Sequence, residues 1–202
     1  MTLTVSPDRT SQERLKGERF QKIVLERCKQ LSDLGLASIG EYGVQSARRV
    51  DGTVVTIQSL PDFEGVTSDG RQAIFDAKVC SQASFNLAKY RRTPEVKGPR
   101  SKQLTHMLDR SRFGVRCFFL IHWNPRLLKT RRVAPVTYAF PVSHDHPFWL
   151  AFAVGDEKSI TRPHCEVHGF VVPWTLATGN DRKFRPDVLA AVDSVDQGGR
   201  SQ

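Results

Sequence analysis

The sequence lacks the features that mark several large classes of protein. Its longest apolar run, residues 147–154, is far shorter than the roughly 20 residues that a membrane-spanning helix needs. The N-terminus has neither the charged nor the apolar region of a secretory signal, so we expect a cytoplasmic protein with no membrane partner. The GxSxG motif of serine hydrolases and the GxxxxGK[ST] motif of nucleotide-driven motors are also absent.

Patterns for disulfides and structural zinc are scarce as well. The four cysteines are widely spaced and form no CxxC pair, so we expect free and mostly buried thiols. The spacings HxH and HCxxH suggest zinc, but they lack the paired cysteines of structural zinc sites, and surface histidines are the preferred interpretation. The residues concerned are His144, His146, His164, Cys165 and His168.

Acidic residues are under-represented, above all in one segment. The 202 residues include 30 Lys and Arg against 21 Asp and Glu, a formal net charge of +9. Residues 89–132 hold 13 basic and 2 acidic residues, so this segment carries 13 − 2 = +11 and the remainder 9 − 11 = −2. A basic segment on a near-neutral body indicates a polyanion partner, nucleic acid first, with a solvated surface as the alternative.

Hydrophobic periodicity predicts an α/β fold with one main domain. Helices are predicted over residues 13–35, 101–112 and 186–195, and strands over 36–44, 54–60, 71–80, 115–123, 136–142, 148–154 and 166–174. The strands within 36–80 then form an antiparallel meander. We expect a flexible segment over 1–12, a single domain over 13–184, and a short helix with a disordered tail over 185–202.

Two acids and a lysine form the most informative chemical pattern. Asp76 and Lys78 lie two residues apart on a predicted strand, so both point to the same face. Asp62 ends the preceding strand, near a turn that can return it to Asp76, while Glu64 is either an outer-sphere group or, preferably, a solvated turn residue. Converging carboxylates suit Mg²⁺ or Mn²⁺, and a nearby cation suits phosphodiester hydrolysis. Each motif alone has a structural alternative, a surface ion pair or a simple turn.

These motifs, in this order, resemble the PD-(D/E)XK nuclease superfamily, and within it the RecU-type Holliday junction resolvases. The resemblance covers residues 13–125. It includes Pro61-Asp62, the strand with Asp76-Ala77-Lys78, the segment Ser84-Phe85-Asn86-Leu87, Gln103 in a helix, and an aromatic-rich strand that ends at Trp123. It implies a restriction-endonuclease-like core, with a mixed central sheet flanked by helices.

The resemblance also implies roles for individual residues. Asp62 and Asp76 would bind Mg²⁺ or Mn²⁺, together with the main-chain carbonyl of Ala77. Lys78 would serve the attacking water. Gln103 would lie near the site as a supporting or phosphate-contacting group.

Two departures from the family pattern leave questions open. The acid on the family's first helix falls on Gln21, so this ligand is missing or is supplied by Glu18 or Glu26. The stretch between the first strand and Asp62 is shorter than the family's junction-inserting stalk and contains Arg48 and Arg49. That difference bears on four-way-junction selectivity more than on nuclease chemistry.

The predicted function is therefore a metal-dependent DNA endonuclease that resolves Holliday junctions by paired symmetric nicks as a homodimer, nucleoid-associated or phage-encoded in a bacterial host. The alternatives are a restriction-like or repair nuclease on duplex or flapped DNA, and a non-catalytic nucleic-acid-binding module. Tyr90 is a candidate for stacking on a base. The candidate DNA-binding residues are Arg48, Arg49, Lys89, Arg91, Arg92, Lys97, Arg100 and Lys102.

Overall fold

The structure is a computed structural model that describes residues 9–42, 46–48, 54–56, 60–90, 99–127, 132–176 and 183–197. Its helices are α1 (Arg9–Asp33), α2 (Pro99–Ser111), α3 (Pro147–Val154), α4 (Arg162–His168) and α5 (Val188–Gln197), with a 3₁₀ turn over Ala88–Tyr90. Its strands are β1 (Ala37–Glu41), β2 (Ser46–Arg48), β3 (Val54–Thr56), β4 (Phe63–Thr67), β5 (Gln72–Cys80), β6 (Ser84–Asn86), β7 (Arg116–Trp123), β8 (Arg126–Leu127), β9 (Arg132–Val133), β10 (Val136–Pro141), β11 (Ser159–Thr161), β12 (Phe170–Val171), β13 (Trp174–Leu176) and β14 (Phe184–Pro186).

Six strands form the central sheet, in the order β1–β4–β5–β7–β10–β12. Strands β5 and β7 are parallel, and the other neighbouring pairs in this sheet are antiparallel. Helix α2 lies in the connection between β5 and β7, because a parallel pair needs a crossover. The predicted α/β class, with a mixed central sheet flanked by helices, is confirmed.

Alternating side chains on the sheet produce two hydrophobic cores, one on each face. On the first face, which we call the α1 face, α1 contributes Phe20, Val24 and Leu31, and α5 contributes Val188 and Val192. On the second face, the α2 face, the helices α2, α3 and α4 contribute Leu104, Met107, Phe148, Trp149 and Cys165. Helix α5 thus packs into the same hydrophobic core as α1 and the central sheet.

Three phenylalanines form a stacked row across the α1 face of the sheet. Phe63 of β4 lies opposite Phe75 of β5, which lies opposite Phe118 of β7. The ring centroids are 4.9 Å apart in each pair, and all three side chains are fully buried. Cross-strand aromatic pairs favour one register over its neighbours, so this row fixes how β4 and β5 align.

Glycines stand where the chain must turn with positive φ. Gly35 follows α1 with a φ of 68°, and Leu36 N–H donates to Leu31 O at 2.9 Å, which confirms the predicted helix end. Gly70 has a φ of 82° in the tight turn between β4 and β5, where Thr67 N–H donates to Arg71 O at 3.0 Å.

The predicted strand over 148–154 is wrong, because these residues form helix α3. Pro147 lies in the first turn of that helix, and His146 Nδ1 accepts a hydrogen bond from Phe148 N–H at 3.2 Å. Gly155 ends the helix with a φ of 103°. An apolar run of this length has no clear period, so only its flanking caps distinguish a buried helix from a buried strand.

The predicted strand over 166–174 is also wrong in its first half. Helix α4 ends at His168, after starting from Thr161, whose hydroxyl accepts from His164 N–H while His164 Nδ1 accepts from Thr161 N–H. This capping box fixes the helix start. Only β12 and the first residue of β13 keep the predicted strand conformation.

The predicted meander is wrong in its order. Strands β2 and β3 pair with each other in a separate two-stranded sheet, and β4, which pairs with β1 and β5, lies where the sequence predicts a turn. The tight turn predicted at 50–53 lies outside the described residues. Helix α1 begins at Arg9, four residues earlier than its periodicity predicts.

The expectation of free and buried cysteine thiols is confirmed. The four cysteines are free and buried, and Trp123 and Trp149 belong to the core of the α2 face. Within the described ranges, no helix combines the length and the apolar content that crossing a membrane requires.

The close approach of β1 and β4 predicts a strong asymmetry between two glycines. A Cβ at Gly65 would overlap Ser38 O and Ile39 Cα, whereas a Cβ at Gly40 on the paired strand meets nothing within 4 Å. We expect Gly65→Ala to lower the free energy of unfolding by about 1–3 kcal/mol, as overpacking does. Gly40→Ala is the matched control and should not destabilise. Urea denaturation measures both, and equal losses would contradict this packing.

Candidate active site

The register of β4 on β5 brings Asp62 and Asp76 together. Phe63, the first residue of β4, lies opposite Phe75, so continuing the register by one residue places Asp62 opposite Asp76. Asp62 Oδ2 accepts a hydrogen bond from the Ala77 N–H at 2.9 Å, which fixes its side chain against β5. Asp62 therefore lies just before a strand instead of at the end of one, but the predicted meeting of the two carboxylates is present.

Lys78 bridges the two carboxylates. Its Nζ lies 2.8 Å from Asp76 Oδ2 and 3.3 Å from Asp62 Oδ2. The Asp76 side chain is fully buried, whereas those of Asp62 and Lys78 are 21% and 20% exposed. Asp76 thus forms the floor of the site, and Asp62 and Lys78 connect it to solvent.

Burial and mutual contact shift the pKa values of all three groups. Burial raises the pKa of Asp76 to about 7; the Lys78 ammonium opposes this rise and the Asp62 carboxylate adds to it. Burial also acts upward on Asp62, but Lys78 and hydrogen bonds with Asp76, Gln21 and Ala77 leave its pKa below the usual range. Burial acts downward on Lys78, yet the two carboxylates keep its pKa above the usual range. The site therefore favours an ionised Asp62 and a charged Lys78.

Helix α1 reaches the site through Gln21. Its Nε2 donates to Asp62 Oδ2 at 2.8 Å, so the amide occupies the place that the family pattern gives to an acid. Glu18 instead lies 3.6 Å from Arg14, and Glu26 accepts from Arg185 Nη2 at 2.8 Å. Of the three residues considered at this position, Gln21 is the one in contact with Asp62.

Gln103 supports the segment that leads into Asp62. It lies on α2, is 5% exposed, and donates from Nε2 to Leu60 O at 2.7 Å. Leu60 and Pro61 immediately precede Asp62, so this hydrogen bond restrains the backbone that presents the carboxylate. The amide nitrogen is engaged there, which favours the supporting role over phosphate contact.

The donor set fits a hard divalent cation. Asp76 Oδ1 is buried, and no N–H group of the described residues donates to it. An oxygen in that position is costly unless it is satisfied, and a cation at the site would satisfy it. In the described ranges, no group of three or more His, Cys, Asp or Glu side chains converges. The described carboxylates that could hold such a cation are therefore two, those of Asp62 and Asp76.

Tyr90 is a residue whose place was predicted wrongly. It is 2% exposed and packs edge-on against Phe119, with ring centroids 5.5 Å apart, so it offers no face to a base. Its hydroxyl is close enough to Lys78 to raise the pKa of that lysine. The tyrosine follows Lys89 and precedes two arginines, so its neighbours in sequence are those of a surface residue.

The candidate DNA-binding residues are placed only in part. Lys89 and Lys102 are described and exposed. Arg48 lies in β2 and Arg100 in α2, but their side chains are outside the described set. Arg49, Arg91, Arg92 and Lys97 lie outside the described residues.

Two histidines and Glu64, also considered as candidates, form contacts within the fold. His146 and His164 accept hydrogen bonds at the starts of α3 and α4. Glu64 lies in β4, where its carboxylate is 3.9 Å from Arg110 Nη2. It is therefore a strand residue beside an arginine, and the preferred assignment to a solvated turn is wrong.

Comparison with known proteins gives a structural likeness but no match to a family model or a curated sequence. No protein-family model matches the sequence, and no curated protein matches it. Among solved structures, the chain is similar to Hjc, a Holliday junction resolvase from the hyperthermophilic archaeon Archaeoglobus fulgidus, at 13% identity and a TM-score of 0.41. The match covers 77% of this chain and 95% of that one.

The hydrogen bond from Gln103 predicts a measurable contribution to stability. In Gln103→Met the chain keeps a similar shape, but the buried Leu60 carbonyl loses its donor. We expect the free energy of unfolding to fall by about 1–3 kcal/mol. Gln82→Met, at an exposed site, is the control and should be nearly neutral. Thermal and urea denaturation measure the difference; a neutral Gln103→Met would contradict the supporting role.

Proposed function

We propose that the protein is a metal-dependent DNA endonuclease of the PD-(D/E)XK type. The single observation that carries the proposal is the contact of Lys78 with two carboxylates, one of them fully buried with an oxygen that no N–H group of the described residues satisfies. A structural ion pair would not need the second acid or leave that oxygen without a donor. Asp62 and Asp76 would hold Mg²⁺ or Mn²⁺, because both ions prefer carboxylate oxygens.

The contacts of Asp62 and Lys78 indicate what each residue would do in the reaction. A divalent cation, when bound, supplies charge stabilisation for the phosphate and a water of lowered pKa. Asp62 is oriented for this purpose by the N–H groups of Gln21 and Ala77. Lys78, held in its charged form by the carboxylates, has donors available to a phosphate oxygen as negative charge grows there.

The Ala77 carbonyl is a further proposed ligand, and the backbone supports it. The N–H of Ala77 points toward Asp62, and in a strand the carbonyl of the same residue points to the same side. Continuation of the β4–β5 register places Pro61 opposite Ala77. Proline has no N–H to donate to that carbonyl. The oxygen therefore receives no ladder hydrogen bond from Pro61 and would be available to a cation held by the two acids.

We further propose that the substrate is branched DNA, most specifically a four-way junction cut by paired symmetric nicks. The segment over 89–132 carries the excess positive charge, and its residues Lys89 and Lys102 are exposed and so accessible to DNA. Symmetric nicks require two copies of the site, so this form of the proposal includes a homodimer. A nuclease on ordinary duplex or flapped DNA shares the chemistry and differs only in the substrate it prefers.

Cleavage assays separate these outcomes. Labelled junction, duplex, flap and single-stranded DNA are incubated with Mg²⁺ or Mn²⁺ and with wild type or Asp76→Asn. We expect paired nicks in the junction, and a loss of about 100-fold or more in Asp76→Asn, because its carboxylate charge is removed from the site. Asp156→Asn, at an exposed position away from the site, is the control and should cut normally.

Three results would count against the proposal in different ways. Equal cutting of all substrates would replace the resolvase form with a general nuclease. Full activity in Asp76→Asn would overturn the assignment of the site. DNA binding without cleavage in either metal would favour the non-catalytic binding module.

The place of Lys78 between the carboxylates predicts competition with the cation. The Lys78 ammonium contacts the same two carboxylates that would bind the cation, so it competes with the cation for them. Lys78→Gln should therefore bind Mn²⁺ at least about tenfold more tightly at pH 8, while losing cleavage. Electron paramagnetic resonance of free Mn²⁺ measures the affinity directly. Lys158→Gln, at an exposed lysine, should leave the affinity unchanged. Unchanged or weaker binding in Lys78→Gln would show that the cation does not use this site.

A further inference from the structure

A second cleft lies where the parallel strands β5 and β7 end, on the α2 face of the sheet that also carries Lys78. It has a volume of about 560 Å³. Three of its lining residues are arginines, Arg126, Arg132 and Arg162. The floor between them includes Ala83, Trp123 and Asn124. None of these residues takes part in the site described above.

The floor of the cleft is tied to the strand that carries the carboxylate and the lysine. Trp123 pairs with Cys80 at the end of β5. Asn124 N–H then donates to Cys80 O at 3.0 Å, and Asn124 Nδ2 donates to Ser81 Oγ at 2.7 Å. These bonds join the ends of both strands, so the floor has a fixed position relative to Asp76 and Lys78.

The walls come from two other elements. The antiparallel pairing of β6 with β11 leads the chain into α4, which places Arg162 on one side. Arg162 is restrained there, since its Nη1 donates to Ala134 O at 3.2 Å and its Nε lies 3.4 Å from Glu166. The pair of strands β8 and β9 forms the other side and carries Arg126 and Arg132.

The charge of the cleft is unbalanced. Glu166 is the one acid in its lining, and it pairs with Arg162. No ion pair joins Arg126 or Arg132 to another described residue. Within the described residues, Glu166 is thus the one acid that these two guanidinium groups share the cleft with, and it is already paired with Arg162. Their planar fork of donors matches a phosphate group in shape and charge.

The position of the cleft relates it to the proposed reaction. Cys80 lies two residues beyond Lys78, which is about 7 Å along a strand. Successive phosphates of one DNA strand advance by about 3.4 Å along the helix axis. We propose that this arginine cleft binds a backbone phosphate of the DNA strand a few nucleotides from the phosphate that is cut. The inference rests on the proposed nuclease function and adds a second anchoring point to it.

The test measures how DNA binding depends on salt. Fluorescence anisotropy of a labelled four-way junction and a labelled duplex is recorded without divalent metal, between about 50 and 200 mM salt. For Arg126→Gln/Arg132→Gln we expect weaker binding and a slope of log affinity against log salt that is smaller by about 1 to 2, since each lost phosphate contact removes about 0.9. Arg126→Lys/Arg132→Lys should largely restore the slope, because it keeps the charge.

The charge-matched control is Arg19→Gln/Lys29→Gln, whose two exposed residues lie on α1 across the sheet. Its slope should stay within about 0.3 of wild type. Equal slopes for the cleft variant and wild type, or equal losses in the cleft variant and the control, would overturn the proposal. Melting temperatures close to wild type show that each variant is folded.

A second arm distinguishes the source of the phosphate. Calorimetric titration with a deoxynucleoside monophosphate should show little binding if the cleft takes DNA as part of a longer strand. Tight binding of the monophosphate, lost in Arg126→Gln/Arg132→Gln while the DNA slope is unchanged, would overturn the DNA assignment. Failure of the nuclease function itself appears separately, as absent cleavage by wild type with the slope effect still present.

Discussion

The alignment of β4 on β5 is the constraint on which the rest of the site depends. The row of Phe63, Phe75 and Phe118 holds that alignment from the α1 face, while the acids and the lysine use the opposite face of the same strands. A slip of β5 by one residue would turn the Asp76 side chain to the α1 face, into the hydrophobic core there, and would separate it from Asp62. A purely apolar contact on one side of the sheet thus sets the distance between two charged groups on the other.

The polar contacts around this alignment explain how a fully buried carboxylate is tolerated. Lys78 compensates part of the charge of Asp76 and leaves Oδ1 without a donor from the described residues. Such an incompletely satisfied group costs stability and is typical of a site that expects a ligand. Gln21 and Gln103 act around Asp62 as neutral supports, one on its oxygen and one on the backbone before it. In the proposed function, the site would hold a cation without a third acid.

Sequence reasoning reached the centre of the site but little of its surroundings. The same-face placement of Asp76 and Lys78 follows from the period of two in a strand, and the end of α1 follows from Gly35.

The strand β4 was missed, because Pro61 and Gly65 look like turn residues until the close approach to β1 is known. Helix α3 was missed because its apolar run has no period. The contact of Gln21 with Asp62 joins residues 41 apart in the chain, and the arginine cleft joins three separate elements, so neither is visible locally.

The central claim is that Asp62 and Asp76 together bind one divalent cation. Anomalous diffraction from crystals soaked in Mn²⁺ tests it most directly. The account predicts an anomalous peak between the two carboxylates, about 2.0–2.6 Å from an oxygen of each, with Lys78 Nζ displaced from its bridging position. A fully soaked crystal with no peak at these residues, and with Lys78 still bridging them, would contradict the account.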